Sequence, residues 1–271
     1  MNPAKSKKNF TDGVSESIGF LLIFTMVIVG IGLVTLYGYP MLLQQQTSAD
    51  EQIMEKNMIV LQNDMKSLAY KTVPYTETSL KIGGGTLFVN NASNDATTFR
   101  LYHGGMTPAN SIFKVGDLRY ESIGMDRIIS VQSGSVVTRN VLESGSSMLA
   151  EPRWFYDGQT NTWIVNIITL NSTGNLSRAG IGTVQMALGE TDFNETVVDQ
   201  GVPILLDYTP DAAYDYSVAW DNYFQNVLHL SPPTLSPDPV LGPTRTYHLV
   251  IDPTRPSVLV IKKIDVIIKS V

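Results

Sequence analysis

The sequence predicts an α+β protein, in which one long N-terminal helix precedes a mostly antiparallel, sandwich-like β domain with one short helix. Two observations predict this class. Residues 18–39 run without a charged side chain, and a helical pattern continues over residues 40–71. Over residues 79–271, short β-branched and aromatic runs alternate with clusters of glycine, asparagine and aspartate. Such alternation is typical of an antiparallel β domain.

The first 17 residues form a short basic segment ahead of the apolar run, with lysines at positions 5, 7 and 8. No A-x-A-like site of a cleaved secretory signal follows the apolar run, which is also longer than the apolar region of such signals. Because basic residues are retained on the cytoplasmic side of a membrane, residues 1–17 are expected to lie in the cytoplasm.

The uncharged segment Ile18 to Tyr39 is predicted to be a transmembrane helix. At about 1.5 Å per residue it spans roughly 33 Å, enough to cross the hydrocarbon core of a bilayer. A helix buried in a soluble core seldom lacks a polar face over such a length. We therefore expect a single-pass protein of the cell membrane, with lipid as a partner and the bulk of the chain outside the cell.

The residues that lead into this helix are GVSESIGF, at positions 13–20. This V-S-E-[ST]-I-G-type opening resembles that of archaeal type IV pilin-like, membrane-anchored surface proteins, and the resemblance covers residues 1–71. It implies that a prepilin peptidase removes the basic leader between or beside Gly13 and Val14. It also implies that Glu16 is the acid near the mature N-terminus. The N-terminal helix would then mediate self-association, or association with other pilin-like subunits, in a filament.

Residues 40–71 are predicted to continue as an amphipathic helix. Five apolar residues recur at alternating spacings of four and three, which is the pattern of a coiled-coil seam. They are Met54, Met58, Leu61, Met65 and Leu68. The polar residues between them, Gln62 included, are expected to form a solvated face. Two interpretations of this seam stay open: it packs on the chain's own β domain, or it packs between subunits. Pro40 removes one helical hydrogen bond, and a kink is expected there.

Glycines predict two local features of the β-rich domain. Gly83-Gly84-Gly85 lies between two strand-like runs, and it favours a turn or bulge over a phosphate-binding loop. The pair Asp157-Gly158 lies between two further β-rich runs and predicts a hairpin whose loop can exceed two residues.

One short helix is predicted within the β-rich domain. Thr209 is suited to cap it and Pro210 to occupy its first position. An aromatic stripe at helical spacing follows, and we expect it to lie in the core. Its members are Tyr216, Trp220, Tyr223, Phe224 and Val227.

Composition and motifs exclude several classes of function. A net charge of −6 disfavours a nucleic-acid partner, which requires a basic surface. Cysteine is absent, so the chain has no disulfides, thiolate metal sites or cysteine nucleophiles. The three histidines show no metal-ligand spacing, and no common catalytic or nucleotide-binding motif occurs. We expect no catalytic, cofactor-binding or metal-binding residues.

Polar motifs in the β domain suggest modification and capping. Asp207, Asp211 and Asp215 recur every four residues, which fits helix capping and solvation or, alternatively, a Ca²⁺ site. Four tripeptides on the predicted outer side are candidate N-glycosylation sites. They begin at Asn91, Asn171, Asn175 and Asn194.

The sequence thus favours a non-enzymatic, pilin-like cell-surface protein, a major or minor subunit with a structural, assembly or adhesion role. A tethered surface-binding module that does not polymerise is the first alternative. A tethered hydrolase is the second, and it would require a deep pocket with convergent acids.

Overall fold

The computed structural model describes residues 11–71, 73–104, 112–123, 127–142, 145–236 and 243–271, with the side chains of residues 11–16 outside this description. The chain divides into two compact units, Met1–Ser48 and Ala49–Val271. The described part of the first unit is helical. The second unit contains the end of the N-terminal helix, two β-sheets and one short helix.

The N-terminal helix has three segments: α1 (Thr11–Leu33), a π-helical turn (Val34–Gly38) and α2 (Tyr39–Tyr70). In the π-helical turn, the backbone N–H of Tyr39 donates to the carbonyl of Val34, five residues earlier. Pro40 follows at once, and in a regular helix its ring would clash with the carbonyl four residues before it. The wider π turn makes room for this ring, so the helix continues through the predicted kink site.

Nine strands form the larger sheet: β1 (Tyr75–Asn90), β4 (Asp117–Ser122), β5 (Arg127–Gln132), β6 (Ser135–Asn140), β7 (Ser146–Ala150), β8 (Phe155–Asp157), β9 (Thr162–Ser172), β10 (Ser177–Val198) and β14 (Ser257–Ser270). Their spatial order is β7-β6-β5-β4-β1-β10-β14-β9-β8. All neighbouring strands run antiparallel except β14 and β9, which run parallel. The first strand already begins ahead of residue 79, where the sequence places the start of the β domain.

Five strands form the smaller sheet: β2 (Thr98–His103), β3 (Ile112–Lys114), β11 (Ile204–Thr209), β12 (Thr234–Ser236) and β13 (Thr244–Leu249). Their order is β12-β13-β11-β2-β3, and every pair is antiparallel. The predicted fold class is confirmed: a long apolar N-terminal helix precedes a mostly antiparallel β domain with one short helix.

The larger sheet has a hydrophobic core on each face. On one face the seam of α2 shares a core with Val131, Val184 and Ile264. On the other face Val137 and Val165 share a core with the aromatic residues of the smaller sheet and the short helix. Since side chains alternate between the faces of a strand, the central strands supply apolar residues to both cores.

The short helix α3 spans Ser217–Asn222 and continues as a π-helical turn, Tyr223–Val227. The predicted start at Thr209 is wrong, because that residue ends strand β11. The carboxylate of Asp215 instead accepts the N–H of Ser217 at 2.7 Å, and this bond marks the start of the helix. The N-cap residue itself, Tyr216, makes no side-chain cap bond. A turn formed by Asp215 therefore precedes the helix, and the earlier threonine and proline signals do not start it.

The aromatic stripe is confirmed as core except at its last position. Tyr216, Trp220, Tyr223 and Phe224 are at most 3% exposed, whereas Val227 is 43% exposed. Because the last turn is π-helical, residues advance around the axis by a smaller angle than in an α-helix. The last member therefore no longer faces the core.

The glycine predictions are confirmed as turn features. The register of β1 shifts after Ile82, which makes the glycine triplet a β-bulge. Gly84 has a φ of +57°, a conformation that L side chains rarely adopt. A Cβ atom at Gly85 would overlap the backbone carbonyl of Glu121. Gly158 opens the four-residue loop between the antiparallel strands β8 and β9.

Candidate functional site

The apolar half of the N-terminal helix lies open to its surroundings. From Ile18 to Leu43 every residue is exposed except Gly32, which is half-buried. The helix that contains this segment, Ser17–Tyr70, is the one described helix long and apolar enough to cross a membrane, and none of its most apolar stretch is buried in the protein. A membrane anchor and a signal sequence both have this property.

The polar side chains in this segment are compatible with an apolar medium. The Thr25 hydroxyl donates to the Leu21 carbonyl at 2.7 Å, and the Thr35 hydroxyl donates to the Ile31 carbonyl at 2.9 Å. Every polar group in a bilayer core must find its partner within the protein. Both hydroxyls meet that condition inside the helix itself, so neither depends on water.

The seam of α2 lies wholly inside the second unit. Met54, Met58, Leu61, Met65 and Leu68 are at most 1% exposed, in the core that they share with the larger sheet. The first of the two interpretations of the seam therefore describes the chain as it stands. Because these side chains are buried within one chain, a contact between subunits would have to use other surfaces.

One polar residue of α2 is buried beside the seam, although the sequence places it on a solvated face. Gln62 is 1% exposed, and its side-chain amide donates to the carbonyls of Gly134 at 2.7 Å and Glu151 at 3.0 Å. Lys66, one turn further on, also donates to the Glu151 carbonyl, at 2.9 Å. These bonds fix the position of α2 along the sheet, which apolar contacts alone do not specify.

A polar cleft of about 460 Å³ opens beside strand β3, on the face of the larger sheet turned towards the smaller sheet. Its charged lining consists of Lys114, Asp192, Lys263 and Asp265. A cleft of this volume can hold a small molecule. Its two ammonium groups and two carboxylates favour a polar ligand.

The groups in the cleft differ in how far they are already engaged. Lys263 and Asp265 form an ion pair at 3.1 Å, and the Thr169 hydroxyl donates to the same aspartate. Asp192 has no ion pair or side-chain hydrogen bond among the described residues, and it is exposed. One feature of the sequence could have indicated this cleft: the charges at positions 263 and 265, within an otherwise apolar terminal run.

A second polar cluster is buried between the sheets. The Arg119 guanidinium donates to both carboxylate oxygens of Asp117, at 2.8 and 3.1 Å, and the Ser130 hydroxyl donates to the same carboxylate at 2.6 Å. The guanidinium also lies 3.3 Å from the centre of the Tyr214 ring. Burial, together with the negative charge of nearby Asp117, raises the pKa of the Asp95 carboxyl to about 6. The pairing of Arg119 with Asp117 and its stacking on Tyr214 are typical of a structural ion pair.

Residues 13–227 match the model of a family described as a family of unknown function, DUF7289. The match covers more than half of the 271 residues. The chain belongs to the DUF7289 family. Neither a curated protein nor a solved structure shows significant similarity to it.

The DUF7289 match contains the exposed apolar segment, the seam and α3, and it leaves β12 to β14 outside. It begins at Gly13, where the predicted leader would end. Gly13, Val14 and Glu16 belong to the first turns of α1, with side chains outside the described residues. The leader lysines also lie outside the described residues. Cleavage beside Gly13 and the role of Glu16 stay predictions.

The four candidate glycosylation sites of this DUF7289 protein differ in exposure. Asn175 and Asn194 are exposed, whereas Asn91 and Asn171 are half-buried. The side-chain carbonyl of Asn91 accepts hydrogen bonds from the N–H and the hydroxyl of Ser172, at 2.6 and 2.9 Å. Because a glycan requires a free amide and open space, the geometry favours the two exposed sites.

The three spaced aspartates serve as hydrogen-bond acceptors. Asp207 accepts the Thr246 hydroxyl at 2.7 Å and lies 3.8 Å from a guanidinium nitrogen of Arg100. Asp211 and Asp215 each accept a backbone N–H two residues further on. The predicted capping and solvation do not describe these contacts: Asp207 is buried in strand β11, Asp211 stabilises a loop turn, and the N-cap residue of α3 is Tyr216, which makes no side-chain cap bond. The described part of the chain contains no group of three or more histidine, cysteine or acidic residues placed to share a metal ion.

Proposed function

We propose that this chain is a pilin-like, membrane-anchored cell-surface protein with a structural, assembly or adhesion role rather than a catalytic one. In this proposal the basic leader is cytoplasmic, the helix crosses the membrane once, and the β domain lies outside the cell. The partners are lipid, a prepilin peptidase, and other copies or pilin-like subunits that meet through the N-terminal helix.

One observation carries the proposal: a charge-free helical segment that is exposed from Ile18 to Leu43 continues into a helix whose seam is buried under a β-sheet. Exposure of this apolar surface to water is energetically unfavourable, so the segment requires lipid or protein around it. The buried seam follows that surface along the same chain and packs on the larger sheet. A chain built in this way is suited to hold a folded domain at a membrane or along a filament.

The order of charges supports the orientation. The lysines at positions 5, 7 and 8 precede the helix, whereas residues after it carry a net negative charge. By the positive-inside rule the N-terminus stays in the cytoplasm. The motif at positions 13–20 supports processing by a prepilin peptidase, because it resembles the opening of the pilin-like proteins.

The proposal is tested by N-terminal mass spectrometry of the full chain, isolated from the membranes of a cell that has a prepilin peptidase. We expect the mature chain to begin at or near Val14 and to remain in the membrane pellet after carbonate washing. Replacing the candidate cleavage residue, Gly13→Leu, should leave an uncleaved chain in the same pellet.

The two readouts separate the two parts of the proposal. If the N-terminus is intact and the chain stays in the pellet after carbonate washing, pilin-type processing is contradicted but the membrane anchor is not. A chain that carbonate releases, and that stays dispersed without detergent, would contradict the anchor itself. Protease added to intact cells should degrade the β domain, and protection of that domain would contradict the orientation.

A second candidate function is a tethered binding module that does not polymerise. Two observations favour it: the seam is used entirely within the chain, and the cleft beside β3 has an exposed, unpaired Asp192. Electron microscopy of cell surfaces discriminates the two functions. Filaments that disappear with the gene support the subunit, whereas anchored chains without filaments support the module.

A further inference from the structure

An apolar patch remains on the face of the larger sheet that α2 covers. Its members are Phe155, Ile164, Phe193, Val197, Val258 and Val260, which we name the sheet patch. Directly opposed residues of neighbouring strands share a face, and the pairings Val260 with Ile164, Ile164 with Phe155, and Val197 with Val258 connect the patch across four strands.

The patch lies next to the end of α2 and is not covered by it. Lys262, two residues from Val260 on the same strand and face, donates to the carbonyl of Ala69 in the last turn of α2. That helix ends at Tyr70. Beyond it Phe193 is 59% exposed, Val197 65% and Phe155 43%. The patch therefore continues the buried helix–sheet interface into the open.

Strand β10 leaves a free backbone edge beside the patch. Its pairing with β1 ends at Ala187, whereas its pairing with β14 continues to Val198. The N–H of Leu188 still donates to the carbonyl of Pro74, and among the described residues no backbone pairs with the other edge of residues 189–198. Free edges and contiguous apolar patches are both features of interaction surfaces.

The charges at the patch indicate what covers it. Glu195 lies opposite Val260, and Lys262 lies opposite Phe193, so an acid and a base stand on the same face in neighbouring rows. A partner that is strongly acidic or strongly basic would meet a like charge here. A second copy brings one lysine for each glutamate, which makes the surface self-complementary, as an isologous contact requires.

We propose that the sheet patch is a contact between two copies of this chain, formed by their β domains. The inference rests on the proposed function, in which anchoring concentrates copies at one membrane or filament. It adds a second contact to the one expected through the N-terminal helix. The partner patch buries the exposed phenylalanine and valine side chains that α2 leaves uncovered.

The candidate glycan at Asn194 does not oppose this contact. Neighbouring residues of a strand point to opposite faces, so Asn194 lies on the face opposite to Phe193 and Glu195. Its strand partner is Ile261, which packs against the core between the two sheets. A sugar at that position would leave the patch accessible.

Because the chain has no cysteine, a single introduced cysteine reports the contact without background. The test uses the full chain in detergent micelles and in liposomes, with Val197→Cys and a short bismaleimide cross-linker. The matched control is Ile181→Cys, an apolar residue of the same strand that is 74% exposed outside the patch. We expect the Val197→Cys chain to give at least fivefold more covalent dimer, roughly the effect of a contact worth 1 kcal/mol.

A second variant keeps the test decisive. Phe193→Glu, added to Val197→Cys, should reduce the dimer to the control level without lowering the unfolding midpoint, because Phe193 is mostly exposed. Equal yields from positions 197 and 181, or a yield that Phe193→Glu does not change, would overturn the contact. Since carbonate extraction reports the anchor independently, an anchored chain with no dimer refutes the patch alone.

Discussion

The two halves of the N-terminal helix differ in how their apolar residues are distributed around the helix axis and in whether those residues are buried. The first half is apolar on all sides and exposed except at Gly32, whereas the second is apolar along one seam and buried there. In the first half no face is distinguished, so no surface of the same chain can cover it. In the second half the spacing of four and three residues places the apolar side chains on one face of the helix, and the larger sheet covers that face. Hydrophobicity alone therefore does not determine burial, because its distribution around the axis decides which surroundings a helix requires.

The test with the largest expected effect introduces charges into each half of the helix. Val27→Lys combined with Ile31→Lys puts two charges near the middle of the anchor, at a cost of about 3 kcal/mol each in a bilayer. We expect most of the chain to move to the carbonate supernatant. Val60→Lys, on the exposed side of α2, should leave the chain in the pellet. Release of both variants alike would refute the distinction between the halves.

Removing one seam side chain tests the second half directly. Met58→Ala deletes a fully buried side chain and should lower the free energy of unfolding of the β domain by about 2–5 kcal/mol. Val60→Ala, two residues away and 47% exposed, should change it by less than about 0.5 kcal/mol. Urea denaturation of the full chain in mild detergent measures both values. Similar losses from the two variants would mean that the seam does not carry the contact.

The pH dependence of stability separates the apolar seam from the polar cluster on the other face of the sheet. Burial and the charge of Asp117 raise the pKa of the Asp95 carboxyl from 3.8 to about 6. The unfolded chain then loses this proton near pH 4 and the folded chain near pH 6, so stability falls as the pH rises between these values. Asp95→Asn should flatten this slope and add up to about 3 kcal/mol at pH 7.

Unfolding midpoints measured from pH 4 to pH 7 check this sign. Met58→Ala serves as the control, since it should lower the midpoint by a similar amount at each pH. A midpoint difference between Asp95→Asn and the parent chain that stays constant from pH 4 to pH 7 would contradict the raised pKa.

The smallest effect concerns the ion pairs at the edge of the seam. Arg127 lies 2.9 Å from Glu55 and 3.9 Å from Glu51, and all three side chains are partly exposed. Arg127→Met should cost no more than about 1 kcal/mol, because exposed ion pairs are weak and screened by salt. The loss should shrink in high salt. A loss as large as that of Met58→Ala would show that charge, rather than packing, holds α2 on the sheet.

Prediction from sequence worked where a pattern is local and periodic. The long apolar helix, the apolar seam and the bulge at the glycine triplet each follow from residues within one segment. The predicted start of α3 was wrong because two signals competed. Thr209 and Pro210 suited a helix, but Thr209 pairs with Thr98 in the smaller sheet, and the helix begins only at Ser217, after a turn formed by Asp215. The prediction that Gln62 is solvated was wrong because nothing near it in the sequence indicates burial. Its two carbonyl partners lie more than 70 residues away along the chain.

The sequence by itself determined that a charge-free helix precedes a β-rich domain, since length, charge and periodicity are properties of one stretch of chain. Only the tertiary structure decided that the seam faces its own sheet, that Lys263 and Asp265 meet Asp192 in one cleft, and that the sheet patch stays open. These facts depend on strands distant in sequence becoming neighbours in a sheet. Pairing of that kind is set by the whole fold, so no local pattern specifies it.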